Sequence, residues 1–162
     1  MDKILFHEKQ RFNQWWMWGL LLLVSFVIFR PIYEAISENK AMSSDQWIGL
    51  IILVVVLILF FLIRLETKIQ TEGIYVKFFP FLPQFRFYPW EGIEIVQLRK
   101  YSALKEFGGW GIRFGRGGTA FNVKGNIGLQ LKFKNGNALL IGTQKPEELQ
   151  RVLADLNLPK SS

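Results

Sequence analysis

The apolar positions of this chain fall into two long uninterrupted stretches and then into short alternating runs. No charged residue occurs from Trp15 to Phe29 or from Trp47 to Ile63, whereas after Arg64 charges and apolar runs are interleaved. The second stretch is apolar on every helical face, so no side of it suits water. Its seventeen residues rise roughly 26 Å as a helix, enough for a hydrocarbon core of about 30 Å if the bilayer thins slightly. The flanks carry residues that prefer a membrane interface: Trp15, Trp16 and Trp18 open the first stretch, Arg30-Pro31 closes it, and Trp47 and Arg64 bracket the second. Ser25, the only hydroxyl in the first body, can bond back within its own helix. The pattern predicts a transmembrane hairpin over 15–64, with spans at about 15–32 and 47–63, preceded by an N-terminal segment over 1–14.

Lys3, Lys9 and Arg11 precede the first span and Arg64, Lys68 and Lys77 follow the second, while the connection holds Arg30 and Lys40 beside Glu34, Glu38 and Asp45. The positive-inside rule then places both termini in the cytoplasm. A secretory signal peptide fits worse, because Asp2, Glu8, three tryptophans and Arg30 surround its would-be apolar core. Neither apolar body, 15–29 or 47–63, carries an ionisable residue, which argues against transport and for anchoring.

Beyond Arg64 the period changes to two. Ile127, Leu129, Leu131 and Phe133 alternate with Gly128, Gln130, Lys132 and Lys134, then Asn135-Gly136 makes a tight turn and Ala138 to Ile141 returns. Similar short runs lie at 68–71, 74–79, 84–88, 93–99, 110–114 and 119–123, separated by Gly, Pro and Asn, and a domain of about seven strands is expected. The expected form is an antiparallel sandwich or partly open barrel over 65–157, followed by a tail at 158–162. One helix is expected there: Pro146, Glu147 and Glu148 suit its first turn, and Leu149, Val152, Leu153 and Leu156 form one apolar stripe, with Asn157 and Pro159 ending it.

Thr71-Glu72-Gly73-Ile74, Pro89-Trp90-Glu91-Gly92-Ile93, and the stretch from Lys124-Gly125-Asn126 through Gln144-Lys145-Pro146-Glu147-Glu148-Leu149 carry a likeness. Together with the preceding hairpin, they make the chain resemble the bacterial pleckstrin-homology-like membrane proteins over about 65–156. The resemblance implies an α+β membrane protein of the bacterial inner membrane, multi-pass, with a capping helix on its β domain. It also implies a non-enzymatic module, and supplies neither a catalytic residue nor a cofactor.

Charge and chemistry narrow the function. The formal charge is +7, and the excess lies after Arg64, where Lys and Arg outnumber Asp and Glu by 15 to 8. With no cysteine, disulfides and thiolate metal sites are excluded. His7 is the only histidine and reads as a solvated side chain rather than a ligand. Ser102 and Lys105 have Ser-x-x-Lys spacing but lack the companion elements of that chemistry, so a connector is preferred. The glycine-rich stretch from Gly108 to Gly118 lacks the Gly-Lys-Ser/Thr ending of a phosphate loop, which leaves hairpin turns, or a binding loop with Arg113 and Arg116 beside Trp110. In Phe78 to Trp90 the aromatic surface exceeds what alternating strands can bury, and Pro80 and Pro83 suggest a tip exposing Phe81 and Leu82 to a membrane interface or partner groove.

Two functions follow in order of preference: a membrane-tethered scaffold that binds a protein partner or its own copies, then a sensor of anionic lipid headgroups through Lys77, Arg86, Arg113 and Lys132. Nucleic acid is not expected as a partner, because the cations are spaced singly.

Overall fold

The computed structural model describes residues 3–12, 14–115 and 118–156. They form two compact units: one holds the residues up to Phe12 together with those from Ile63 onward, and the other holds the residues between.

The intervening unit is a pair of helices, α1 (Trp15–Ser37) and α2 (Ser44–Leu62). Both are long and apolar enough to cross a membrane, and nearly all of their apolar surface is uncovered. A core helix of a soluble protein would instead be wrapped by its own fold. The first helix does not stop at Pro31 but runs to Ser37, longer than the expected span. A proline costs a helix one donor. Here the helix is supported by an Arg30–Glu34 pair one turn apart, and Gln46 of α2 donates its side-chain amide to the Pro31 carbonyl at 2.9 Å. Ser25 Oγ donates to the Leu21 carbonyl as expected.

The other unit contains nine strands, more than the sequence pattern suggests. The unexpected one is β1 (Ile4–Arg11), which falls in the N-terminal segment 1–14 expected to stand apart from the β domain. It pairs antiparallel with β2 (Arg64–Gln70), so the helical pair is an insertion between two neighbouring strands. β1 escapes detection because its inward positions are Phe6, Glu8 and Gln10, two of them polar. With β3 (Gly73–Phe79) and β4 (Leu82–Pro89) they make a four-stranded sheet in the order β1-β2-β3-β4.

A second sheet has the order β5-β8-β9-β7-β6, from β5 (Ile93–Lys100), β6 (Gly111–Gly115), β7 (Gly118–Asn122), β8 (Ile127–Phe133) and β9 (Ala138–Gly142). It is not purely antiparallel, because β7 runs parallel to β9, and the sheets do not close into a barrel. Phe6, Leu65, Ile69, Val76 and Phe78 from the first sheet and Phe121, Leu129, Leu131 and Ile141 from the second are buried. Phe78 meets Phe121 across the two sheets, with ring centroids 6.3 Å apart. Each such side chain removed from water contributes about 1.5–3 kcal/mol before entropy is counted.

The face of β8 expected to be wet is covered only in its first half, at Gly128 and Gln130, while Lys132 and Lys134 stay exposed as expected. A short helix, α3 (Ala103–Phe107), joins Tyr101 and Leu140 in a small second core on that side, and Gly128 and Gln130 are buried there. Gln130 Oε1 accepts from Arg99, and its amide donates to the Leu131 and Leu139 carbonyls. Tyr101 sits in this core beside Asn122, and burial pushes its hydroxyl pKa up to about 12. The terminal helix, α4 (Pro146–Asp155), buries Leu149 and Leu153 and packs against β1. Asn157 and Pro159, expected to stop it, lie outside the described residues.

Candidate functional site

Alternation along the first sheet divides its side chains cleanly. While Leu65, Thr67, Ile69, Ile74, Val76 and Phe78 point inward, the outer face carries His7, Lys9 and Arg11 of β1, Arg64, Glu66 and Lys68 of β2, and Lys77 of β3. The register aligns them in rungs: His7 opposite Lys68, Lys9 opposite Glu66 and Lys77, and Arg11 opposite Arg64 and Phe79.

The rungs differ in charge balance. Glu66 Oε1 lies 2.8 Å from His7 Nε2, 3.7 Å from Lys9 Nζ and 3.8 Å from Lys68 Nζ, so one carboxylate serves two rungs. Burial alone would raise its pKa, but the hydrogen bond from His7 and the two lysine charges hold it below the ordinary range. Arg11 and Arg64 stand directly opposite each other, and neither meets a carboxylate among the described residues. Like charges so placed disfavour the pairing unless an anion or solvent screens them. This unbalanced rung is also the one nearest the helices in the chain: Arg64 follows Leu62 by two residues, and Arg11 precedes Trp15 by four.

Aromatic rings border the cations. The Arg64 guanidinium is 5.2 Å from the Phe79 ring centroid, and the Lys68 and Lys77 ammonium groups are 4.4 and 5.5 Å from that of Phe85. Phe87 stacks on Tyr75 at 4.6 Å. These contacts hold lysine stems down on the sheet while their charges stay at the surface.

β4 does not follow simple alternation. Between the Val76–Arg86 and Phe78–Leu82 pairs β3 advances two residues and β4 four, so the strand bulges. Phe87, paired with outward Tyr75, and Phe85, beside Lys68 and Lys77, lie on the outer face, while Leu82, Arg86 and Tyr88 line a cleft of about 530 Å³ against Ile112, Phe114, Phe121 and Leu139 of the second sheet. Burial raises the Tyr88 pKa, opposed by the neighbouring Arg86.

The anticipated contact residues are thus dispersed. Phe81 is exposed at the β3–β4 turn, as expected for a tip, but Leu82 is half-buried in the cleft and not at the tip. Lys77 is on the outer face of the first sheet and Arg86 in the cleft; Lys132 is on β8, and Arg113 is on β6, donating to the Trp110 carbonyl at 2.9 Å. Those four cations do not form one patch, and Arg116 lies outside the described residues. Trp15, Trp16, Trp18 and Trp47 are exposed on the helices and Arg30 is exposed near the end of α1; Arg64 opens β2. Ser102 caps α3, accepting from the Lys105 backbone, so its spacing from Lys105 marks a helix start. Gly108, with φ of 70°, ends that helix.

Sequence reasoning missed the site because Lys9, Arg11, Arg64 and Lys68 served there only as orientation signals. Pairing the two segments that flank the hairpin would have revealed it. No family model, curated protein or solved structure matches the chain.

Proposed function

We propose that this is a non-enzymatic, membrane-anchored module that binds anionic phospholipid headgroups with the outer face of its first sheet. The observation that carries the reading is the Arg11–Arg64 rung: two unbalanced guanidinium groups, directly paired, within a few residues of both helix ends. If α1 and α2 span the bilayer, both strands emerge on one side, and the chain keeps the rung within a few residues of the lipid surface. Each cation near an anionic surface contributes about 1 kcal/mol, and the arginines suit phosphate in particular. Phe81 at the neighbouring turn supplies an exposed ring at the same end of the sheet.

The cytoplasmic side of a bacterial inner membrane is the setting that the charge bias favours. The likeness to pleckstrin-homology-like domains is supported by two packed sheets followed by a helix, and departs from expectation in the parallel β7–β9 pair. The scaffold reading, with a protein partner or further copies of the chain, loses precedence because no surface favours it as specifically.

The test is lipid retention. Full-length protein in nanodiscs of phosphatidylcholine with a minor fraction of phosphatidylglycerol should retain the anionic lipid preferentially in native mass spectrometry, and less so as salt rises. Arg11→Gln with Arg64→Gln should abolish the preference. Equal retention by wild type and variant would refute the reading.

A further inference from the structure

The structure assigns a second binding site: we infer that the cleft beside β4 takes a single-chain anionic amphiphile, a long-chain fatty carboxylate. This does not rest on the headgroup reading, since it uses the inner side of β4 and different residues. The cleft holds about 530 Å³, within the roughly 300–1,000 Å³ typical of small-molecule sites. Its walls are mainly apolar, from Leu82, Ile112, Phe121, Phe133 and Leu139, with Thr119, Asn135 and Asn137 as uncharged polar members, and Phe114 on one wall is 81% exposed. A soluble fold gains nothing from leaving such a ring uncovered in a concave site.

Charge selects the head of the ligand. Arg86 is the lone cation of the described lining, no Asp or Glu accompanies it there, and no ion pair occupies it among the described residues. A single planar guanidinium offers two parallel donors, the geometry a carboxylate accepts. The Tyr88 hydroxyl, already beside Arg86, adds a polar group at the same place. Leu82 pairs with Phe78, next to the Arg64–Phe79 rung. One end of the cleft therefore lies at the end of the first sheet that carries Arg64, two residues after α2 in the chain.

The experiment uses the full chain in nanodiscs of phosphatidylcholine alone, so the basic face has no anionic phospholipid to report. A photoactivatable palmitic acid carrying a diazirine in its tail is cross-linked, and the labelled residues are read by mass spectrometry. Labelling is expected on peptides of β4 and β7–β9, displaced by unlabelled palmitate about tenfold better than by its methyl ester. Arg86→Gln should remove that preference while cleft labelling persists, and Thr119→Trp, which narrows the cleft, should remove the labelling. Arg86 is exposed, so its variant decides the matter even if Thr119→Trp fails to fold. Labels confined to α1 and α2, cleft labelling that an extended peptide displaces but palmitate does not, or equal competition by acid and ester would overturn the assignment.

Discussion

Glu8 is a carboxylate held out of water. It is buried on the inner side of β1, where it accepts hydrogen bonds from Thr143 Oγ1 at 2.7 Å and from the Gln144 backbone at 2.8 Å. Burial outweighs those bonds and raises its pKa above the ordinary 4.5. Folding thus favours the protonated form, so its contribution to stability is complete below pH 4.5 and is lost as pH rises through the folded value. Glu66 and Glu106 act in the opposite sense: their pKa values are lowered, so their contributions are present above pH 4.5 and lost as pH falls through their folded values. Glu8→Gln should therefore gain thermal stability relative to wild type as pH is raised from 4.5 towards neutrality, as followed by circular dichroism melts. A difference that stays flat over that window would show that Glu8 is not ionising within the fold. Ser102→Ala, which removes the cap of α3, should cost about 0.5–2 kcal/mol in chemical denaturation.

Among the elements, those with strong period-two alternation were legible and those with polar inward positions were not. The β8–β9 hairpin has the expected turn and pairing, with Asn135-Gly136 at the turn and Leu129 facing Ile141, although Gly128 and Gln130 are buried and not wet. β1 gave no such signal, because Glu8 and Gln10 point inward, where Glu8 accepts from Thr143 and the Gln10 amide donates to the Gly142 carbonyl, partners more than 130 residues away. The bulge in β4 was hidden too, since its reason is the pairing partner rather than its own composition. Close approach at the start of β3 makes one glycine indispensable: a Cβ on Gly73 would lie 2.4 Å from the Tyr88 carbonyl oxygen and 2.9 Å from the Pro89 Cα. Both are backbone atoms that cannot swing aside. Gly73→Ala should destabilise the β unit by about 1–3 kcal/mol in denaturant titrations, whereas the same change at Gly92, with open space around it, should cost far less.

At the scale of the whole molecule, the two apolar helices were readable because an absence of charge over such lengths leaves few alternatives. The basic face was not, because Arg11 and Arg64 become neighbours only when strands on either side of a long insertion pair. Removing residues 1–11 is therefore expected to uncover Leu65 and Ile69 and to leave α4 without its packing partner. Such a truncation should lose the protease resistance of the β unit; unaltered resistance would mean that β1 contributes nothing to it. The cysteine-free chain also permits a clean topology test. Single cysteines at His7 and Lys132 should react with a membrane-impermeant maleimide from the same side, and one at Lys40 from the other.

The order of synthesis gives the insertion a further consequence. β1 leaves the ribosome before the apolar pair, and its partner β2 only afterwards, so the first sheet cannot zip up until the intervening helices have been disposed of. A chain whose helices failed to enter the lipid as a pair would leave its two flanking strands on opposite sides of the barrier, or tangled with misplaced hydrophobic chain. If α1 and α2 enter a bilayer as proposed, the β unit matures only in molecules already threaded correctly, and assembly of β1 on β2 would report successful insertion.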